Sequence, residues 1–274
     1  MSAPKQLIVN ADDFGFTRDV NRGIVAAHRD GILTATTLMA TGAAFDDAVA
    51  LARENPSLDV GVHLTLVNAP SALDPRRMLP ATVSDLLKAL VLRRIPVYDE
   101  LCAQVEKVLA AGLRPTHLDT HKHTHLAPPV LDALVRVAGR FEIRWVRRPF
   151  DFPLTAAGVP WSARLTSRAL GVVRRRFQRV LARHGCRSTD HFAGFQLTGR
   201  FRAAELVALI AALPPGLTEL MTHPGYCTDE LRAARTRLKE SRREELAALT
   251  APAVREALAR HGVSLADYRG QPAP

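Results

Sequence analysis

The chain reads as an α/β protein, a distorted (β/α) barrel of mostly parallel strands with helices outside them, and three observations predict this class. Short apolar runs alternate with amphipathic stretches along most of the sequence, the pattern of a parallel sheet wrapped by helices. The 274 residues, 47% hydrophobic and 23% charged, can bury a full core, and barrels of this kind reach such a length as one unit. Polar, chemistry-bearing residues recur just after the apolar runs, on the face where parallel barrels assemble their sites. One catalytic domain over residues 1–274 is therefore expected, with an irregular insertion or lid near 150–162 and a frayed tail after 268.

The elements follow in order. Gln6 to Asn10 is a short apolar run that predicts a buried strand. Thr17 can cap the next helix, with Asp19 in its first turn, Val20, Ile24 and Ala27 as its core stripe and Gly31 as a left-handed exit. Thr34 to Met39 and Leu58 to Leu66 predict further strands, with a helix from Phe45 to Glu54 between them. The stretch from Asn68 to Pro80 lacks periodicity and predicts a loop. Helices are expected over Val83–Leu92 and Tyr98–Ala111, a strand over Thr116–Thr120, a helix over Pro128–Gly139 and a strand over Ile143–Val146. After the proline-rich Phe150–Pro160, the pattern resumes with a helix near Ala203–Leu213 and a strand over Gly216–Met221. Two last helices are expected near Thr228–Ala247 and Ala251–His261.

Composition narrows the function classes. The N-terminal residues before Leu7 do not read as a signal peptide, and no apolar run approaches the roughly 18 residues of a membrane span. Cys102, Cys186 and Cys227 are too few and too scattered for a disulfide framework, so a cytoplasmic location is expected. A formal charge of +10 invites a nucleic-acid reading, but with 5% aromatic residues there are few stacking platforms, and no nucleic-acid partner is expected. The densest basic run, Arg174-Arg175-Arg176 with Arg179 and Arg183, lies on a helix-like stretch whose apolar face is Leu170, Val173, Phe177, Val180 and Leu181. It reads as a solvated helix face, or as peripheral contact with an anionic membrane. A homodimer is compatible with this class.

The chemistry-bearing stretches begin with Asn10-Ala11-Asp12-Asp13-Phe14-Gly15. Adjacent carboxylates after a buried strand repel unless a positive charge lies near. A metal ion would supply it; a turn with one aspartate capping the next helix is the ordinary alternative. Neighbouring residues leave a strand on opposite faces, so one aspartate can ligate while the other reaches bound water by a different path. His63 is a lone histidine in an apolar strand, which taken alone reads as a satisfied core residue and gains weight as a ligand only beside the other motifs. The strongest stretch runs from Thr116 to His125, with His117, Asp119, His121, His123 and His125 sharing one parity. Any extended portion presents them on one face, and imidazoles beside a carboxylate suit a zinc-like ion. His223 follows another apolar strand; an unperturbed imidazole there could protonate a leaving amine, or be a helix cap or surface residue.

Taken together, NADDFG, GVHL, THLDTHKHTH, WVRRP, DHFAGFQLTG and ELMTHPGY resemble, in order and over nearly the whole chain, the YdjC-like (ChbG/HpnK) family of carbohydrate deacetylases. The resemblance implies a distorted barrel holding one divalent metal ion, magnesium or zinc, between an aspartate and two histidines. Matched residue by residue, it implies Asp13, His63 and His121 as metal ligands and Asp12 as general base. It also implies Arg147, or its neighbour Arg148, as support for that base, and His223 as general acid. His117, Asp119, His123 and His125 are expected in the surrounding shell or the substrate cleft. The implied activity is removal of an N-acetyl group from an amino-sugar-containing substrate, chito-oligosaccharide-like or a glycolipid. Two alternatives stand beside it. One is a metal-dependent phosphoesterase, which commonly uses two or more ions; the other is a basic binding protein that keeps the fold without the chemistry.

Overall fold

The computed structural model describes residues 3–152 and 173–270. Its elements are β1 (Lys5–Phe14), α1 (Arg18–Asp30), β2 (Ala35–Leu38), α2 (Phe45–Glu54), β3 (Asp59–Leu64), α3 (Val83–Val91), α4 (Val97–Ala110), β4 (His117–Thr120), α5 (Pro128–Arg140) and β5 (Trp145–Val146). Residues 173–183 are helical and form α6. Then come β6 (His191–Ala193), α7 (Ala203–Ala211), β7 (Gly216–Thr222), α8 (Asp229–Ala233), α9 (Glu240–Leu249), α10 (Pro252–Arg260) and β8 (Val263–Leu265).

The strands form one sheet in the order β5-β4-β3-β2-β1-β7-β6, with β8 against β1, and their named pairings are parallel. β1 lies at the centre. Its first residues pair with β8 and its last with β2, while the other edge pairs along its length with β7. Parallel bridges Trp145↔Arg187 and Asp151↔Phe192 join the two outer regions, so the sheet curls into the expected distorted α/β barrel.

Leu7, Val9 and Ala11 point into the main core beneath the helices, whereas Ile8 packs on the other side with Ala35, Ala266 and Tyr268. Burial on both sides explains why the strands read as continuous apolar runs rather than as alternating ones. The inner side is polar toward the strand ends: Asn10, Asp12, His117, Asp119, Arg147 and Glu219 are all buried.

Local signals act largely as expected, with instructive departures. Thr17 Oγ1 accepts from Val20 N at 3.3 Å and caps α1. Gly31, expected as a left-handed exit, instead has φ −123°. Glycine is needed there because a Cβ would lie 2.5 Å from the Leu249 carbonyl oxygen. The helix expected over Thr228–Ala247 is two, α8 and α9, and the intervening residues 234–239 reach the wall of a cavity described below. The three-residue strands β6 and β8 were not anticipated; runs that short carry little periodicity.

Of the expected excursion near 150–162, residues 153–162 lie outside the described residues, as does Leu170 of the basic stretch. In α6, Phe177 and Leu181 are buried and Arg174, Arg175 and Arg176 exposed. Beyond Tyr268, the Arg269 guanidinium donates to the Pro56 and Ser57 carbonyls at 3.0 and 2.7 Å; residues 271–274 of the tail lie outside the described residues. Cys102, Cys186 and Cys227 are free thiols. Among the described residues no helix is long and apolar enough to cross a membrane.

Candidate active site

The expected site residues gather at the C-terminal ends of the strands. Asp12 and Asp13 close β1, His63 and Asp119 lie near the ends of β3 and β4, and His121, Arg147 and His223 immediately follow β4, β5 and β7. A straight strand would send Asp12 and Asp13 to opposite faces. Here the β1–β2 register slips between Ala11 and Phe14, and Asp13 takes φ 69°, in the left-handed region. As a result both aspartates line one cavity of about 630 Å³, together with His63, His121, His123, His223 and Arg242. The expectation that the two carboxylates diverge is thereby corrected.

Three ligand-type atoms converge in that cavity. Asp13 Oδ1 is 3.4 Å from His63 Nε2 and 3.2 Å from His121 Nδ1, and the two imidazole nitrogens are 3.2 Å apart. Asp13 Oδ1 is buried without a well-aligned hydrogen bond among the described residues. A carboxylate oxygen and two imidazole nitrogens facing one point suit a divalent cation. Asp119 Oδ1 lies 2.7 Å from His63 Nδ1, which fixes the ring and leaves Nε2 toward the cavity. A second grouping, Asp12 with His63 and Asp119, is also close-set, but Arg147 already pairs with both of its carboxylates.

The local charge supports a cation. Asp12, Asp13, Asp119 and Glu219 share two guanidiniums, Arg147 and Arg242; with these groups ionised, four negative charges less two positive ones leave two negative, or one when His63 is protonated. Burial favours the neutral form of His63, yet the Asp119, Asp13 and Asp12 carboxylates outweigh it and push the imidazole up to about 10. Burial likewise favours protonation of Asp13, but Arg242, His121 and His63 hold it well below the ordinary carboxylate range.

Arg147 is the hub behind Asp12. Its side chain is 1% exposed. Nη1 and Nη2 donate to Asp12 Oδ2 and Oδ1 at 2.7 and 2.6 Å, Nη1 lies 2.6 Å from Asp119 Oδ2, and Nε donates to Glu219 Oε1 at 2.6 Å. Burial alone would raise the Asp12 pKa, but Arg147 holds it below its ordinary value. Arg148 turns away and donates to the Asp190 carbonyl, so of the two neighbours Arg147 is the one that reaches Asp12.

His223 also borders the cavity, and its backbone N–H donates to Glu245 Oε2 at 2.6 Å. Burial lowers its imidazole to about 4, with Asp12 and Asp13 offsetting only part of that effect. The premise of an unperturbed imidazole is therefore corrected: His223 is neutral near pH 7.

The His-rich stretch does not continue as a strand. β4 ends at Thr120, and Lys122 and His123 have φ 54° and 52° within the short helical turn His121–Leu126. The shared parity thus applies only to His117 and Asp119. His117 stacks on Tyr268 at 3.9 Å and places Nε2 3.0 Å from Asn10 Oδ1, behind the cavity wall. His125 lies behind it too, with Nδ1 2.5 Å from Thr120 Oγ1 and Nε2 3.2 Å from the Arg147 carbonyl. Burial drives His117 well below its ordinary value and His125 to about 3, so both are neutral packing groups. His123 borders the cavity, packed near Phe192 and Phe195.

Several contributors went unanticipated. Glu219, a carboxylate inside an apolar strand, offered a legible signal. Arg242 and Glu245 did not, because they sit in the charged run of α9 and resemble its solvated neighbours.

An α/β barrel with a buried Asp/His group at its strand ends that could hold a metal ion marks the class of protein. The chain matches the model of the YdjC-like protein family over residues 6–260 and belongs to that family. A carbohydrate deacetylase of Geobacillus stearothermophilus is 34% identical over 97% of this chain and 98% of that protein. One from Vibrio parahaemolyticus is 31% identical over 96% of this chain and 95% of its own length. A crystal structure from Enterococcus faecalis V583 superposes with a TM-score of 0.74 at 23% identity, covering 97% of this chain and 98% of that one, and supports the fold.

Proposed function

We propose that the chain is a single catalytic unit, a metal-dependent hydrolase that removes N-acetyl groups from an amino-sugar-containing substrate. The observation that carries this reading is the convergence of Asp13 Oδ1, His63 Nε2 and His121 Nδ1, with Asp12 beside them in one cavity. The names of the aligned relatives supply the substrate class.

A magnesium or zinc ion held by Asp13, His63 and His121 would supply Lewis acidity toward the acetamide carbonyl and toward water. Asp12 receives the proton of the attacking water. Arg147 keeps its carboxylate ionised and oriented before the transfer. As the oxygen–carbon bond forms and the carbon–nitrogen bond breaks, His223 passes a proton to the departing nitrogen, which leaves as the amine beside acetate. Burial lowers the His223 imidazole to about 4, so it is neutral before attack, and the proton it delivers is the one Asp12 took from the water and passes on. His123 contributes to the cleft wall, and Asp119 positions His63. A two-ion phosphoesterase is less well supported, because Arg147 already pairs with both carboxylates of the second Asp/His grouping.

Acetate release from N-acetylated monosaccharides, chitin oligomers and glycolipids, with and without chelator, tests the reading. Activity should vanish with chelator and return with metal. Asp12→Asn should bind metal and lose turnover; full activity in that variant, or indifference to chelator, would reject the mechanism.

A further inference from the structure

α9 places two buried charged residues, Arg242 and Glu245, against the cavity region. Glu245 is fully engaged, accepting from His223 N at 2.6 Å and Gly199 N at 2.9 Å. Arg242 is not. Its Nη2 donates to Asp13 Oδ2 at 2.5 Å and its Nε to the Leu238 carbonyl at 3.3 Å, but Nη1 is buried with no acceptor among the described residues. The side chain is 1% exposed and borders the same cavity as Asp13 and His121.

A guanidinium N–H group withdrawn from water without an acceptor is unfavourable, and most such groups in folded proteins have a partner. Because the other two nitrogens are bonded, the planar fork holds Nη1 in a fixed direction. Lys122, Arg235 and Arg237 line the same cavity as Asp12 and Asp13, so cationic side chains are at hand beside the carboxylates, and a guanidinium N–H bonds a charged oxygen more strongly than a neutral one.

We propose that Arg242 Nη1 forms a carboxylate-binding subsite in the cavity wall and takes an oxygen of the acid released from the substrate. The assignment of that acid as acetate rests on the deacetylase reading; the subsite itself requires only a small carboxylate. The acetyl oxygen gains negative charge as water adds to the carbonyl carbon, the released acid carries a full charge as its carboxylate, and a charge-assisted hydrogen bond strengthens with that charge. Arg242 thus binds the acyl half of the substrate, while its bond to Asp13 leaves Oδ1 facing the two imidazoles.

The test titrates wild type, Arg242→Lys and Arg242→Gln with acetate at pH 7, and separately with Mn²⁺, by calorimetry. Arg242→Gln should weaken acetate binding about tenfold or more, with Arg242→Lys intermediate. Mn²⁺ should bind no more weakly in Arg242→Gln, where Asp13 loses a competing cation, nor in Arg242→Lys, where one cation replaces another. Equal acetate affinity in all three proteins would overturn the proposal, as would parallel loss of acetate and Mn²⁺ binding with a lowered melting temperature. Should the variants not fold, acetate should shift a single arginine guanidinium resonance in ¹⁵N spectra of the wild type; no shift overturns the subsite. If acetate binding depends on Arg242 but no N-acetylated sugar is hydrolysed, the subsite stands and the deacetylase reading fails. The converse result sinks the subsite and keeps the activity.

Discussion

Replacing Arg147 with methionine should show how strongly the site depends on one buried cation. The side chain is 1% exposed and sits within 2.6–2.7 Å of oxygens from Asp12, Asp119 and Glu219. Removing one partner of a buried ion pair typically costs about 3–5 kcal/mol. Three carboxylates sharing one guanidinium are not additive, and some would take up protons in response, so a loss of roughly 5 kcal/mol at pH 8 is expected. That is a large part of the roughly 5–15 kcal/mol that holds a typical domain folded. Its pH dependence follows from burial, which already raises Glu219 despite Arg147. Without the cation, the carboxyls have folded-state pKa values above their unfolded ones. Their penalty is then full above the folded pKa and fades as pH falls toward the unfolded value. Urea unfolding of wild type and Arg147→Met at pH 8 and pH 5.5 should therefore show a gap that narrows in acid. A gap below about 1 kcal/mol at pH 8, or one that does not change with pH, would refute the account of Arg147 as a shared counter-ion.

Other perturbations separate ligand geometry from charge. Asp119→Asn should lower metal affinity by about ten- to a hundredfold in a chelator competition, since a histidine ligand loses the carboxylate that orients it; unchanged affinity would remove Asp119 from that role. Glu245 is pushed by burial up to about 7, against an ordinary 4.5. Its stabilising contribution is therefore fully present below about pH 4.5 and is lost as pH rises through about 7. At about 1.4 kcal/mol per unit this amounts to roughly 3 kcal/mol at most. Glu245→Gln should flatten the fall in unfolding free energy between pH 5 and pH 8, and an unaltered slope would contradict the assignment.

The parts of the fold legible beforehand were those in which local chemistry and tertiary packing agree. The helix expected over Phe45–Glu54 occurs with those bounds, because its apolar face and the turns beside it mark both ends. Thr17 caps α1 through a bond to a residue three positions away. β8 was illegible because its three residues owe their conformation to pairing with β1, far away in sequence. The break between α8 and α9 was also hidden: residues 234–239 contain no glycine or proline to announce it.

The candidate site divides along the same physical line. Asp12, Asp13, His63, His121 and His223 announced themselves as polar residues in or just after apolar runs, a position at which a barrel exposes them together, whereas Arg147 was implied only by the family resemblance. What could not be read was how Asp13 joins Asp12 on one wall, since that depends on a register slip and a left-handed backbone. Arg242 was harder still. Its neighbour Arg243 is 61% exposed at the side chain and pairs with Glu240, whereas Arg242, one position earlier, is 1% exposed and reaches Asp13. A helix turns about 100° per residue, so adjacent arginines can face solvent and core with no difference in composition to mark them. The distinction comes from the placement of α9 against the end of β1. That placement also lets Glu245 hold the backbone of His223, so one helix supports two of the residues that line the cavity. Substitution of Glu245 should therefore disturb proton transfer through His223, substitution of Arg242 should weaken anion binding without weakening metal-ion binding, and changes on the exposed face of α9 should leave all three intact.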